Sequence, residues 1–432
     1  MERTGILADT QRLFLRVSET RFYAKIVGSD IVRKIMETFA TRVLLIGMGL
    51  VTTVIVARIL GPSGRGLYAV ALTTGALGIQ FCNLGLHTSN TYFAARNKAH
   101  LSTLVGNSLF VSLVIASFGA GLAWIFFLVW PRFAPLQGVL LGLSLLSIPL
   151  GLAYLLLQNL LLGVQEVRSY NQIELANKLL SIGLFALVIL SHFVKVETVF
   201  AAGLVAVFVS LFWALASLRR HVGSPLSLSF AFFQENLKYG LKAYISSFFA
   251  FLMLRVDLLM VQYMKGAELA GQYSIAASMI DMVYIFPAVV GTIIFPKLSS
   301  LENNIDKWRL SVRTSLLVGL IMLPLAAIAA TLVKPVVSFL FGRPFLPAVP
   351  AFLWLLPGIL FYGASFSLQY LLSIGLPRFV LWIWVLVVLF NIGLNCLLIP
   401  NHGIIGASWV SSMTYFLCFL LFTAYAWRRS NA

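Results

Sequence analysis

The chain has 432 residues, 60% of them hydrophobic and only 10% charged, and its 31 Lys and Arg against 14 Asp and Glu give a net charge of +17. A soluble globular domain carries about a quarter of its residues as charges, so this composition excludes one and defines an integral membrane protein. The basic excess fits membrane topology rather than a nucleic-acid surface.

The segment 1–35 holds scattered charges and no apolar core, which argues against a cleavable signal. The run RLFLRVSETRFYAKIVGSDIVRKIMETF reads either as an amphipathic helix on the inner membrane surface or as a solvated basic arm. Beyond it, apolar runs of about 20 residues, long enough to cross a ~30 Å hydrocarbon core, predict an all-α chain of transmembrane helices. Twelve spans start near Phe39, Leu67, Leu101, Leu136, Tyr170, Thr198, Leu237, Ala267, Ser311, Leu346, Phe379 and Gly403. Their connections are short, so any function has to reside inside the bundle.

The chain repeats itself. ARILGPSGRGLYAV (Ala57 to Val70) returns as VQYMKGAELAGQYSIA (Val261 to Ala276), with Gly66 and Tyr68 answered by Gly271 and Tyr273. PRFAPLQ (Pro131 to Gln137) is answered by RPFLPAV (Arg343 to Val349), and QNLLLG (Gln158 to Gly163) by QYLLSIG (Gln369 to Gly375). Arg219-Arg220 and Arg428-Arg429 close the two halves. An even number of spans per half makes the halves parallel repeats about an axis along the membrane normal, with a central cavity between them. The expected organisation is 1–35 as a cytoplasmic amphipathic segment, 36–220 as a first six-helix bundle, 221–236 as a cytoplasmic linker and 237–432 as a second six-helix bundle. The linker is the weakly apolar stretch RRHVGSPLSLSFAFFQENLK (Arg219 to Lys238).

Lys and Arg are retained on the cytoplasmic side. With the N-terminus inside, 22 of the basic residues fall on inner segments and seven on outer ends (Arg58, Arg65, Arg132, Lys195, Lys265, Lys334 and Arg343), while Lys178 and Arg255 lie within spans. Both termini are therefore expected in the cytoplasm, in a multi-pass protein of the cytoplasmic membrane.

Local motifs then separate transporter types. The loop AARNKAHLS between spans two and three lacks the Gly-Asp-Arg-Gly-Arg-like motif of the major facilitator type. By contrast, the Leu-Gly-Pro-x-Gly-x-Gly-x-Tyr turn after span one, the Arg-x-Asp of span seven and the Phe-Pro-x-Leu-Ser end of span eight resemble one branch of a known superfamily. It is the polysaccharide-transport branch of the multidrug/oligosaccharidyl-lipid/polysaccharide exporter superfamily, and the resemblance covers nearly the whole chain. It implies a MATE-like fold and flipping of polyprenyl-diphosphate-linked oligosaccharides, as in O-antigen flippases, with membrane lipids, an undecaprenyl-diphosphate-type glycan, and a polysaccharide polymerase and chain-length protein as partners. The peptidoglycan lipid flippases of this superfamily usually have two further spans.

Charge placement suggests a site. No Asp or Glu occurs between Glu37 and Glu166, so the cations of spans one to four have no local carboxylate. Cations in a membrane bundle require water, lipid phosphate or an anionic substrate, and a guanidinium fork suits phosphate. Arg42, Arg58 and Arg255 are the candidates for a substrate diphosphate, against a plain anchoring or salt-bridging role. Arg255 and Asp257, two apart on a helix, point to nearly opposite sides and each needs another partner. Asp257, for which Arg58 or Lys178 is a candidate partner, and Asp281, on a stripe with Ser274 and Ser278, are candidates for coupling to a proton or sodium gradient. Glu174 and Lys178 are expected to neutralise each other as an i,i+4 pair.

Gln80, Asn83, His87 and Asn90 form a polar stripe on span two, and Tyr362, Ser365 and Gln369 a weaker one on span ten. Each either packs against neighbouring helices or faces a glycan in a wet cavity. No metal site is expected, because Cys82, Cys396 and Cys418 lack ligand spacing. No Walker loop, His-Glu-x-x-His or nucleophile elbow is present, so a non-enzymatic transporter without a bound cofactor is expected. The alternatives are a cation-coupled multidrug or metabolite exporter of the same fold, and a membrane polysaccharide polymerase or glycosyltransferase. The short outer loops argue against the latter.

Overall fold

The computed structural model describes residues 30–430, and the N-terminal segment before Asp30 lies outside the described residues. Among the described residues every regular element is helical. Ten helices are long and apolar enough to cross a membrane, and two of these double back.

The helix Asp30–Asn83 contains 54 residues and is broken by Gly61, at φ 65° and ψ −175°. Unbroken it would be roughly 80 Å long at 1.5 Å per residue, yet Ile46 and Ile79 line one cavity, so the chain reverses at Gly61. The 52-residue helix Phe379–Ser430 reverses at Gly403 (φ 56°) in the same way. Across that turn Asn391 Nδ2 donates to Thr414 Oγ1 at 3.2 Å. Only glycine takes these left-handed conformations without strain. With each reversal counted, the described residues cross twelve times, an all-α integral membrane fold.

Spans one and two are thus the two arms of Asp30–Asn83, span two continuing past a break at Leu84 and Gly85 into Leu86–Arg96. Span three is Leu101–Val129, with a π-turn at Val111–Ile115. Spans four, five and six are Gly138–Gly163, Val167–Leu190 and Val196–Arg219. Spans seven, eight and nine are Phe230–Lys265, Ala267–Ser300 and Asn304–Leu340. Span ten is Ala348–Gly363 with Ser367–Ser373, and spans eleven and twelve are the arms of Phe379–Ser430. Asp30, the interbundle linker and Ser430 lie at one face of the molecule, called here the terminal face; Gly61, Gly266 and Gly403 lie at the opposite, turn face.

The repeat is visible in the backbone. Gly61 (φ 65°) corresponds to Gly266 (φ 87°), and the left-handed His192 (φ 58°) between spans five and six to Gly403 between spans eleven and twelve. The short 3-10 turns Pro131–Phe133 and Arg343–Phe345 match as well.

Span two ties the halves together at both of its ends. Near the turn face Gly66 abuts span eight, where a Cβ on Gly66 would stand 1.8 Å from Ala267 O. Toward the terminal face Gly85 abuts span seven, where a Cβ would stand 2.3 Å from Gly240 O. Small residues permit this backbone approach, the source of helix association in lipid.

Between the bundles the chain leaves the helix through a turn at Arg220 and His221 and runs without helix from Val222 to Ser229, strapped along span three. Asn107 Nδ2 donates to Ser229 O at 3.0 Å, Ser229 N donates to Asn107 Oδ1 at 3.1 Å, and Thr103 and Ser227 share a hydroxyl bond of 2.8 Å. Span seven begins at Phe230, capped by Ser229 Oγ.

Candidate functional site: a cavity between the bundles

A cavity of about 590 Å³ lies between the bundles. Spans one, two, four, five and six supply one wall, through residues such as Thr52, Thr53, Ser147, Asn177, Lys178 and Ser181, and span eight supplies Ser278, Asp281, Met282 and Ile285. A second lobe of about 350 Å³ shares Arg65, Leu72, Ala76, Ser278 and Asp281 with it and reaches Arg255 and Asp257 on span seven. The combined site lies within the volume range of small-molecule pockets, roughly 300–1,000 Å³.

Its charges are unevenly partnered. Arg255 Nη2 donates to Asp281 Oδ2 at 2.9 Å, an ion pair between spans seven and eight. Asp257, 3% exposed, accepts from Tyr273 Oη at 2.5 Å, Ser411 Oγ at 2.9 Å and its neighbour's Leu258 N at 2.7 Å. No cation stands within ion-pair distance of it among the described residues. The opposed partners of Arg255 and Asp257 follow from their spacing of two on one helix. Neither Arg58 nor Lys178 meets Asp257; hydroxyls do.

Lys178 is not neutralised by Glu174. Glu174 Oε1 instead accepts from Arg42 Nη1 at 3.2 Å, and Tyr170 Oη accepts from Arg42 Nη2 at 3.0 Å. The local i,i+4 preference, a few tenths of a kcal/mol in an isolated helix, yields to a guanidinium that meets a carboxylate and a phenol together. Lys178 is left on the cavity wall without an ion pair among the described residues.

Arg65 is the largest departure from expectation. Sequence reading put it among the outer headgroups, but the helix resumes directly after Gly61 and turns Arg65 inward, where it is 7% exposed and lines both lobes. Its Nε has no hydrogen-bond partner, and its guanidinium lies 5.9 Å from the Tyr68 ring centroid. The available signal was its place one turn after a break glycine, too weak to assign a face.

Of the arginines expected at a diphosphate, Arg255 reaches the cavity, whereas Arg42 is held by Glu174 and Tyr170. Arg58 caps the end of span nine in the other bundle, donating through Nε to Leu340 O at 2.8 Å and through Nη2 to Phe339 O. The seven residues expected to face a glycan lie off the walls of both lobes. Asn83 Nδ2 and His87 Nδ1 are 2.6 Å apart. Asn90 donates to Ser108 Oγ at 2.8 Å and accepts from Asn236 Nδ2 at 2.7 Å, joining spans two, three and seven. The Gln80 backbone carbonyl accepts from Tyr244 Oη at 2.5 Å, while its side-chain Oε1 is buried without a hydrogen bond. On span ten, Tyr362 packs between Tyr284 and Tyr415, with centroids 5.3 Å away in each case. Ser365 Oγ is buried without a hydrogen bond, and Gln369 packs beside Gly291. Among the described residues no cluster of His, Cys, Asp or Glu has the makings of a metal site.

Two six-span bundles meeting at a cavity are a fold shared with solved transporters of the MOP superfamily. The fold matches an inward-facing multidrug resistance MATE family transporter of that superfamily with a TM-score of 0.73 at 15% identity, covering 89% of this chain and 94% of that one. It matches the lipid II flippase MurJ, in an inward closed conformation, with a TM-score of 0.70 at 15% identity, covering 92% and 87% of the two chains. In sequence the chain is 29% identical over 187 residues to an uncharacterized membrane protein of Methanocaldococcus jannaschii, a match spanning 42% of this chain and 37% of that protein. The model of the polysaccharide biosynthesis protein family matches residues 31–302, and the chain belongs to that family.

Proposed function

We propose that the protein is a flippase that carries a polyprenyl-diphosphate-linked oligosaccharide across the cytoplasmic membrane by alternating access, for polysaccharide biosynthesis, without a catalytic step. The observation that carries this reading is the cation-bearing cavity at the seam of two repeated bundles, in a chain of the polysaccharide biosynthesis protein family. The head group would occupy the cavity while the prenyl tail stays in the bilayer, and rocking of the bundles would expose the cavity first to one side and then to the other. The excess of Lys and Arg on the segments at the terminal face supports placing that face in the cytoplasm.

Arg255 is our candidate for substrate contact from the second bundle, released from Asp281 when the head group enters. Arg42 and Arg58 hold protein partners and take supporting positions. Asp257, buried among hydroxyls, is the candidate for coupling to a proton or sodium gradient. A polysaccharide polymerase and chain-length protein are the partners that such a cargo requires.

The test is translocation in proteoliposomes loaded with a lipid-linked oligosaccharide, read by accessibility of the glycan to an added lectin. Protein-dependent movement supports the flippase. Transport of cationic dyes with no movement of lipid-linked glycan would replace it with the exporter reading, and glycan extension on the lipid would replace it with a polymerase or transferase.

A further inference from the structure

We infer that Arg65 and Lys178 form a phosphate-binding site on the wall of the first bundle, and that this site, rather than Arg255, holds the charged head of the cargo in the resting protein. The identity of the cargo as a lipid-linked diphosphate rests on the flippase reading; the anion site itself does not.

A guanidinium buried in a membrane bundle needs a counter-charge, an acceptor or water. Four other cations have theirs: Arg42 has Glu174, Arg255 has Asp281, Arg58 has the carbonyls that end span nine, and Lys265 Nζ donates to Pro400 O at 2.6 Å. Arg65 has none of these among the described residues, and its Nε is buried and unpartnered. Its guanidinium lies 5.9 Å from the centroid of the Tyr68 ring, a contact that supplies no full counter-charge. On the same cavity wall Lys178 also lacks a carboxylate.

The acid lining this cavity is Asp281, which already holds Arg255 at 2.9 Å. With Asp281 paired to Arg255, and Asp257 of the second lobe held by Tyr273, Ser411 and Leu258 N, Arg65 and Lys178 face the main lobe without a carboxylate partner of their own among the described residues. A guanidinium fork beside an ammonium suits the clustered oxygens of a phosphate or diphosphate, and each bond strengthens where the dielectric falls. The rest of the wall mixes hydroxyls and amides (Thr52, Thr53, Ser147, Asn177) with apolar side chains such as Leu50 and Phe185, as a phosphate joined to both a sugar and a lipid requires.

The repeat adds an asymmetry. Arg65 lies one residue before Gly66, and the position one before Gly271 in the second half is Ala270. The second bundle therefore has no counterpart to Arg65, and the anion would travel with the first bundle as the two rock.

The measurement is binding by purified full-length protein in phosphatidylcholine nanodiscs, with farnesyl diphosphate, farnesol and inorganic diphosphate as probes. The proposal expects farnesyl diphosphate to bind best. It expects Arg65→Gln to weaken that binding about tenfold or more, the scale of a lost charge-assisted bond, with farnesol unchanged. Arg65→Lys should retain most of the affinity, Lys178→Gln should lose part of it, and Arg132→Gln in an exposed turn should lose none. Should Arg65→Gln fail to yield monodisperse protein, Lys178→Gln and Arg65→Lys decide.

Unchanged affinity in both Gln variants, or parallel loss of farnesol, would overturn the site. Equal affinity for inorganic diphosphate would overturn the lipid-borne source in favour of a free phosphate, and displacement by phosphatidylglycerol would overturn it in favour of a bilayer headgroup. Arg65-dependent binding without translocation of lipid-linked glycan would sink the flippase reading and leave the site standing. Translocation that survives Arg65→Gln would do the reverse.

Discussion

Gly66 and Gly271 are the same residue of the repeat, and they touch. A Cβ on Gly66 would lie 1.8 Å from Ala267 O, and one on Gly271 would lie 1.9 Å from Pro62 O, so each glycine receives the backbone of the other's helix. The contact sits where the two repeats meet near the turn face, and we expect it to seal the cavity there. Arg58, capping span nine from span one, adds a second tie between the halves at the same face.

Any side chain at either glycine must therefore push spans two and eight apart at the turn face. Overpacking of this kind costs about 1–3 kcal/mol, enough to move a two-state equilibrium by an order of magnitude or more. Gly66→Ala and Gly271→Ala should each shift the population toward a form open at the turn face. Spin labels at Ser63 and Glu268, equivalent exposed positions beside the contact, should report a longer distance in the variants. An unchanged distance distribution would show that the seal lies elsewhere.

The Arg42 and Glu174 pair joins span one to span five at its terminal end, with the two side chains 52% and 24% exposed. Exposed pairs are worth about 0–1 kcal/mol, so Arg42→Gln should lower thermal stability only slightly. Arg42→Gln and Glu174→Gln should be less than additive, because they remove one bond between them. Translocation should persist in both. Strong loss of transport in Arg42→Gln alone, with Glu174→Gln normal, would move Arg42 from a structural post to the cargo path.

Arg255 and Asp281 pose the converse question, whether the pair is a strut or a latch that the cargo opens. A strut predicts that Arg255→Ala and Asp281→Ala are each harmful while the double variant recovers, because neither charge is then left alone. A latch predicts that Asp281→Ala keeps head-group binding, with Arg255 free for the anion, and that the double variant stays inactive. Translocation rates of the three variants decide between them, and the proposed function requires the second pattern.

The sequence discloses the repeat, the reversals at glycine and the number of spans, because these rest on composition and on local backbone needs. It discloses faces poorly. The spacing of Asn83, His87 and Asn90 places them on one side of span two, but only the packing of spans three and seven shows that Ser108 and Asn236 wait there. Glu174 and Lys178 obey a helical rule that a tertiary partner overrides. Arg65, expected at the outer end of a span, turns inward because the helix restarts at once after Gly61. Such outcomes depend on which helix lies opposite, and no spacing along one chain segment encodes that.

Asp257 offers the sharpest test of coupling. Its carboxylate accepts three hydrogen bonds, from Tyr273, Ser411 and Leu258 N, and meets no cation among the described residues. An amide has nearly the same shape, and its carbonyl can still accept from Tyr273 Oη and Ser411 Oγ, at the loss of the bond from its neighbour's Leu258 N alone. Asp257→Asn should therefore fold with near-normal thermal stability, whereas Asp257→Ala strands two buried hydroxyls and should cost ~1–3 kcal/mol. If the carboxylate takes up a proton or a sodium ion during the cycle, Asp257→Asn cannot, and an imposed pH or sodium gradient should cease to drive translocation while passive equilibration continues. Tyr273→Phe removes one donor without removing the acid, so it should alter the pH at which driving begins while preserving the drive. Gradient-driven transport intact in Asp257→Asn would assign the residue to the architecture of the second bundle and send the search for the coupling group to Asp281.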